Sequence, residues 1–414
     1  MASAAAFTQP ATNDRPGDAG RGGGRLVAVS LGVAIGYLGA LAGLLARHRW
    51  VLDAGGRPML TDFTAVWSAG RLALHGAAVS AYDGPMQHAA EAIAIGHDFQ
   101  GAYGWPYPPS FLFVAAGLAS LPYAWAFALW VGAGLALHGA GVAAIARRPA
   151  AAAVALASPW ALASLMVGQN GFLTAALIGL ALLTMDRRPT LCGLLLGLLT
   201  YKPQFGLLFP LALAAGGRWR VFAWAAVGAL GVNGLAAAVF GPDALAAFLR
   251  VLPQTTRSLV TDGGVGWNKL QSVYGLARCL GASNAVGWAA QAVVSAAAAL
   301  AVAGVWRGRS PFALKAAVLA VAAVLATPYV FAYDLAILAV PAAFLWRHRR
   351  FDRLDYLALA LAALAVVPFV FAPVPSGLVA SLAIAAAVGR RVLEGDGAAA
   401  PGAEPGLPVA TAAL

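Results

Sequence analysis

An all-α polytopic membrane protein is the fold class that the sequence predicts, on three observations. Apolar types make up 61% of the 414 residues and charged types only 10%. A soluble domain carries roughly 25% charged residues, and a chain this apolar has too little polar surface to face water. Mean hydropathy is +0.77. Apolar runs recur along the chain with paired arginines at their ends. The formal net charge of +11 therefore reads as membrane topology, and no nucleic-acid partner is expected.

Residues 1–25, rich in Ala, Gly, Asp and Arg, read as a disordered cytoplasmic tail. A signal peptide is disfavoured, because the next apolar run is as long as a span and no small-residue cleavage site clearly follows it. The first span runs from Leu26 to about Ala46. Further apolar segments follow at roughly 123–146, 151–167, 171–185, 190–201, 204–216, 221–240, 284–306, 311–326, 333–346, 354–371 and 376–393. A helix needs about 20 apolar residues to span, fewer where protein encloses it, so these runs predict about 12 transmembrane helices (roughly 11–13). They form a single transmembrane domain over 26–393, followed by an Ala/Gly/Pro-rich second tail, 394–414. No internal repeat at a fixed period is visible, which counts against a transporter built from duplicated halves.

With the N-terminus inside, nine of the 27 Lys and Arg residues (Arg47, Arg49, Arg57, Arg71, Lys202, Arg250, Arg257, Lys269 and Arg278) fall outside or, for Lys202, between two short apolar runs. The rest fall inside, which puts both termini in the cytoplasm of a cell whose inner membrane holds the protein. The stretch 109–146 is too long for one straight crossing. Residues 109–121 are read as re-entrant or interfacial, and 123–146 as the crossing. Two extracytoplasmic loops are long, about 47–108 and 241–283, and loops of that size are uncommon unless functional or disordered. In the first, Phe63, Val66, Trp67, Leu72 and Leu74 recur at helical spacing, which predicts a helix packed on the membrane surface. Cys192 and Cys279 are not expected to pair, and the six His residues show no ligand spacing.

Asp62 precedes that amphipathic helix where an N-terminal cap would stand. It also suits a general base just above the bilayer, since desolvation raises the basicity of a carboxylate. Trp105-Pro106-Tyr107-Pro108-Pro109 reads as a rigid linker or as an aromatic platform for sugar or lipid. Gln169 and Asn170, between two apolar runs, either cap the next helix or offer donors and acceptors to sugar hydroxyls. Lys202 lies between apolar runs beside Pro203. A cation at that depth is a functional hypothesis by default: it either holds a phosphate or snorkels to the interface. Arg257 and the set Asn268, Lys269 and Gln271 follow in the second loop, around a glycine cluster. Tyr333 and Asp334 open a later apolar run, where Asp334 either caps a helix or binds a cation or substrate hydroxyl. No GxxxxGK[ST] loop is present, so ATP is not an expected partner. No clustered carboxylates demand a divalent metal, whose involvement stays open, and no cofactor is required.

Taken in order, Asp62-Phe63, Tyr-Pro-Pro at 107–109, Gly-Gln-Asn at 168–170, Lys-Pro-Gln at 202–204, Asn-x-x-Gln-Ser at 268–272 and Pro-x-x-x-x-Tyr-Asp at 328–334 resemble glycosyltransferase family 87. The resemblance spans about residues 26–390. It implies a GT-C-type helical bundle that moves a hexose, mannose first among candidates, from a polyprenyl-phosphate sugar to an extracytoplasmic glycolipid or glycan. Asp62 matches the family's first-loop aspartate, which implies the catalytic base. Lys202 matches the lysine of Lys-Pro-Gln, and with Arg257 and Lys269 it is a candidate for the donor phosphate. Tyr107, Gln169, Asn170, Gln204, Asn268, Gln271, Tyr333 and Asp334 are the expected substrate-binding residues. Similar members carry histidines near positions 333–334, where this chain has Tyr333-Asp334. The rival class is a transporter or flippase for a lipid-linked or small polar substrate.

Overall fold

The computed structural model describes residues 18–101, 103–372 and 374–396. Among these the chain is helical, with two isolated β-bridges that tie Leu52 to Trp50 and to Pro58. Helix α1 (Asp18–Ala46) begins inside the segment expected to be a tail. Residues 1–17 and 397–414, the remainder of the two expected tails, lie outside the described residues.

The first long loop folds into α2 (Asp62–Leu74) and α3 (Gly84–Ile95), joined by the 3-10 turn Ala78–Tyr82. Phe63 and Val66 turn inward as their spacing requires, while Leu74 is exposed. Next come α4 (Leu112–Ala119), α5 (Tyr123–Ala146) and the pair α6 (Ala150–Leu156) and α7 (Pro159–Val167), bent by 64° at Ser158-Pro159. The break falls where proline removes a backbone donor. Gly70 lets α2 close on α4, since a Cβ there would stand 2.1 Å from the Ala115 carbonyl oxygen.

The central part is α8 (Gly171–Thr184), α9 (Pro189–Leu198), α10 (Phe209–Ala215) and α11 (Trp219–Phe240). Gly193 and Gly197 on α9 bring it against α11, where a Cβ on Gly197 would stand 2.5 Å from the Gly228 carbonyl carbon. Small residues four apart are how apolar helices reach such contact. The second long loop contains α12 (Pro242–Thr256), a π turn (Arg257–Thr261), a 3-10 turn (Trp267–Lys269) and α13 (Val273–Cys279). The chain ends with α14 (Asn284–Arg307), α15 (Phe312–Leu325), α16 (Ala339–His348), α17 (Arg353–Leu364), α18 (Val366–Phe371) and α19 (Gly377–Asp396).

Five helical stretches among the described residues have the length and apolarity to cross a membrane, and six if the bent α6–α7 pair is one crossing. The expected count of about 12 is not reached on that criterion, because the remaining apolar helices are shorter. A helix such as α8, with 14 residues, rises only about 21 Å against a hydrocarbon core of about 30 Å. Residues 109–119 form one of these short apolar helices, and Tyr123–Ala146 one of the long ones. Helices α8 and α15 are buried on nearly every side and make the centre of the bundle, whereas α1 is largely exposed. Both cysteines are free.

Candidate functional site

Helix α2 is capped by Thr61, and Asp62 is its first helical residue. The Thr61 amide donates to Thr64 Oγ1 (3.1 Å), and the Tyr123 hydroxyl lies 3.2 and 3.1 Å from the two threonine hydroxyls. The capping expectation for Asp62 is therefore corrected: neighbouring hydroxyls do that work and leave its carboxylate for other partners. Asp62 Oδ2 accepts from Gln169 Nε2 at 3.0 Å. Gln169 Oε1 in turn accepts from the Tyr107 hydroxyl (3.1 Å) and the Asn170 amide (3.2 Å). An amide whose oxygen is engaged by two donors presents its nitrogen in one orientation, and so fixes the carboxylate. Burial pushes the Asp62 pKa above the usual carboxylate range, while the Gln169 hydrogen bond and the Lys269 and Lys202 charges pull against it. A carboxylate so held is more basic than a solvated one, as proton abstraction requires.

Lys202 is left between the 3-10 turns Leu199–Tyr201 and Pro203–Phe205. It is 3% exposed and does not snorkel. Its Nζ donates to Asp334 Oδ1 at 2.6 Å and lies 4.9 Å from the Tyr333 ring centroid. Asp334 Oδ2 accepts from the Phe331 amide (3.0 Å), so this carboxylate both caps its turn and pairs with the lysine.

The turn between α7 and α8 joins these two halves. Gly168 has φ +66°, and a Cβ there would stand 2.8 Å from Phe63 Cβ. A Cβ on Gly171 would stand 2.0 Å from the Tyr333 carbonyl oxygen. One glycine thus admits the neighbour of Asp62 and the other the neighbour of Asp334. Asn170, between them, is buried, and its side-chain amide makes no hydrogen bond of good geometry, although the Tyr107 hydroxyl stands close enough to interact with it. Leaving such a group unsatisfied costs on the order of 1–3 kcal/mol, so the amide has hydrogen-bonding capacity to spare. The Asn170 backbone carbonyl accepts from Tyr201 (3.2 Å), whose ring stacks on Phe111 at 4.7 Å.

Other expected residues are placed differently. Trp105 and Tyr107 are buried, the former stacked on Phe111, so these rings are not an open platform. Gln271 is expected to bind substrate, but its amide is occupied by backbone: Nε2 donates to the Asn268 carbonyl (2.8 Å) and Oε1 accepts from Gly377 N (2.8 Å). It clamps the second loop to the start of α19. Arg257 is largely exposed and faces Asp262 at 3.7 Å, outside the contacts that join Asp62 to Lys202. Lys269 is exposed, yet its charge reaches Asp62. Gln204 and Asn268 are half-buried. Residues the sequence reading passed over include Tyr201, Thr174, Tyr103 and Glu91. Tyr201 stands next to Lys202, and that adjacency was its only signal.

An apolar groove of about 360 Å³ lies between α9, α10 and α11. Thr200 and Pro203, which flank Lys202, form part of its wall together with Leu196, Leu207 and Phe222.

Apolar helices enclosing a buried lysine–aspartate pair, beside a desolvated and oriented carboxylate, define a membrane-embedded protein with a polar site at its centre. The chain belongs to glycosyltransferase family 87: that family's model matches residues 105–328, more than half of the 414 residues. It is therefore a membrane glycosyltransferase. Tyr107, Gln169, Asn170 and Lys202 lie within the matched segment, and Asp62, Tyr333 and Asp334 lie outside it. Searches of curated proteins and of solved structures found no match.

Proposed function

We propose that the protein transfers a hexose, mannose first among candidates, from a polyprenyl-phosphate sugar to an extracytoplasmic glycolipid or glycan by a single inverting displacement. The observation that carries this reading is the Asp62 carboxylate, raised in basicity by burial and fixed by the Tyr107–Gln169 relay. The acceptor hydroxyl gives its proton to Asp62 as its oxygen attacks the anomeric carbon. The bond from that carbon to the phosphate oxygen breaks, and the electron pair leaves with the lipid phosphate. Phosphate is a competent leaving group, so no acid catalyst is needed. Asn170, whose buried amide has hydrogen-bonding capacity to spare, suits a hydroxyl of the donor sugar. Lys269 and Lys202 bring positive charge to the site of the phosphate, and the groove that begins at Thr200 and Pro203 suits the apolar tail. The protein then works as a multi-pass protein of the cytoplasmic membrane, with both termini inside and the two long loops outside.

The test is release of radiolabelled sugar from polyprenyl-phosphate donors by purified protein in nanodiscs, wild type beside Asp62→Asn. The variant is expected to lose roughly two to four orders of magnitude in rate, the usual worth of a general base, with its unfolding temperature preserved. Wild-type rates in the variant would remove Asp62 from the mechanism. No release by either protein, across a panel of lipid-linked sugars and mixed membrane acceptors, would favour a transporter.

A further inference from the structure

Three helices that pack on one another, α5, α8 and α16, end together. Arg147 and Arg148 follow α5, Arg187 stands just past α8, and Arg347 lies in the last turn of α16. The Arg148 guanidinium lies over the Trp346 ring, 5.7 Å from its centroid. Arg147 and Arg187 act on Arg347 as like charges, with Asp186 opposing them. Asp186 itself pairs with Arg218 at 2.7 Å. Among the described residues none of the four arginines makes an ion pair. The plain reading is that they offset the negative ends of three helices. Three such ends carry roughly 1.5 negative charges together, so four arginines leave a surplus.

Trp346 is also a wall of a second apolar groove, of about 340 Å³. Val29 and Val33 of α1, Ala155 of α6, Trp160 of α7 and Phe351 line it as well. The Phe351 ring lies 5.3 Å from Trp346, 31° from parallel. Helix α1 packs mainly on α6, and Val29 and Val33 are exposed, so the groove opens toward lipid. One side chain thus joins a surplus of positive charge to an apolar channel. Arginines that only set topology need no groove, and a neutral alkyl chain needs no arginines. An amphiphile with an anionic head uses both: guanidinium forks match phosphate oxygens, and the channel takes a tail. Basic pockets between helices at the inner membrane face hold such headgroups. A zwitterionic lipid would bring its own cation against the cluster. A second copy related by a two-fold axis would bring the same four arginines.

We infer that this is a binding site for a phospholipid with an anionic headgroup, its phosphate held by Arg148 and Arg347 and one acyl chain lying in the groove beside Trp346. In the proposed topology the site belongs to the cytoplasmic leaflet, across the membrane from the two long loops. It takes no part in sugar transfer and stands or falls apart from the transferase reading.

The test is native mass spectrometry of the full-length protein in detergent, titrated with dioleoyl phosphatidylglycerol or dioleoyl phosphatidylcholine. The glycerol lipid is expected to bind the wild type roughly tenfold or more tightly than the choline lipid, the worth of two arginines or so. Arg148→Gln and Arg347→Gln should each weaken it about fivefold, the share of one arginine. Val33→Trp adds bulk to the groove wall without touching a charge and should weaken it as well. Arg309→Gln, an exposed position on the α14–α15 turn, should leave it unchanged. An unfolding temperature checks that each variant is folded, and the comparison of the two lipids on the wild type needs no variant. Equal affinity for the two lipids overturns the inference. So does a loss in Arg309→Gln as large as in Arg148→Gln, which would mean diffuse attraction to the whole face. Unchanged binding in Val33→Trp removes the groove from the site. A dimer mass that Val33→Trp abolishes, in place of lipid adducts, would give the groove to a second copy.

Discussion

Gln169 is engaged from both sides, by Tyr107 at its oxygen and by Asp62 at its nitrogen. Its hydrogen bond lowers a pKa that burial raises. As the proposed base, Asp62 works only when ionised, so activity is expected to fall as pH drops through its pKa. Gln169→Leu removes a lowering influence, and the acidic limb of the rate profile is expected to move to higher pH, with a loss of rate at neutral pH. A profile that keeps its acidic midpoint would show that another group sets it. Lys202 and Asp334 pose a different problem, being 3% and 1% exposed. Lys202→Met leaves a buried carboxylate without its partner, a cost of about 3–5 kcal/mol. The double variant Lys202→Met, Asp334→Asn is expected to recover most of the unfolding temperature in detergent but not the affinity for a lipid-phosphate donor. Recovered affinity would make the lysine a purely structural cation. Both residues drew notice in the sequence, Asp62 where a cap would stand before an amphipathic helix and Lys202 as a charge between apolar runs, where charge is costly without a use. The backbone partners of Gln271 were not legible, because a glutamine that clamps backbone and one that binds sugar look alike until its partners are known.

The elements were legible where the apolar run was long. Tyr123–Ala146 and Asn284–Arg307 stand within a residue or so of the runs read from composition. Shorter runs were harder, since an apolar stretch of 10–17 residues is equally good as a buried core helix and as half of a broken crossing. The 64° bend between α6 and α7 is such a case, and only the proline after Ser158 hinted at it. The α7–α8 turn depends on glycine in a way that periodicity does not reveal. Gly171→Ala would drive a Cβ into the Tyr333 carbonyl, so α8 and the Tyr333-Asp334 segment would have to separate. The expected outcome is a lower unfolding temperature together with a loss of donor turnover. An alanine variant with normal turnover would show that the turn can move without cost to the site.

At the scale of the whole molecule, the proposed topology puts residue 100 outside and residue 309 inside. A membrane-impermeant maleimide added to intact cells should label Gln100→Cys and spare Arg309→Cys, two positions at the protein surface. The reverse pattern would invert the orientation read from the distribution of arginine. The site draws on segments that the ribosome makes far apart in time. Asp62 is 107 residues ahead of Gln169, and Lys202 is 132 residues ahead of Asp334. At a synthesis rate of roughly 5–20 residues per second, the lysine waits about 7–26 s for its counter-ion. Throughout that interval its half-span carries an unmatched charge and gains little by entering lipid. The proposed reactive centre therefore closes only once Asp334 has been made, and a polypeptide stalled before that point has no assembled centre with which to draw on an activated sugar.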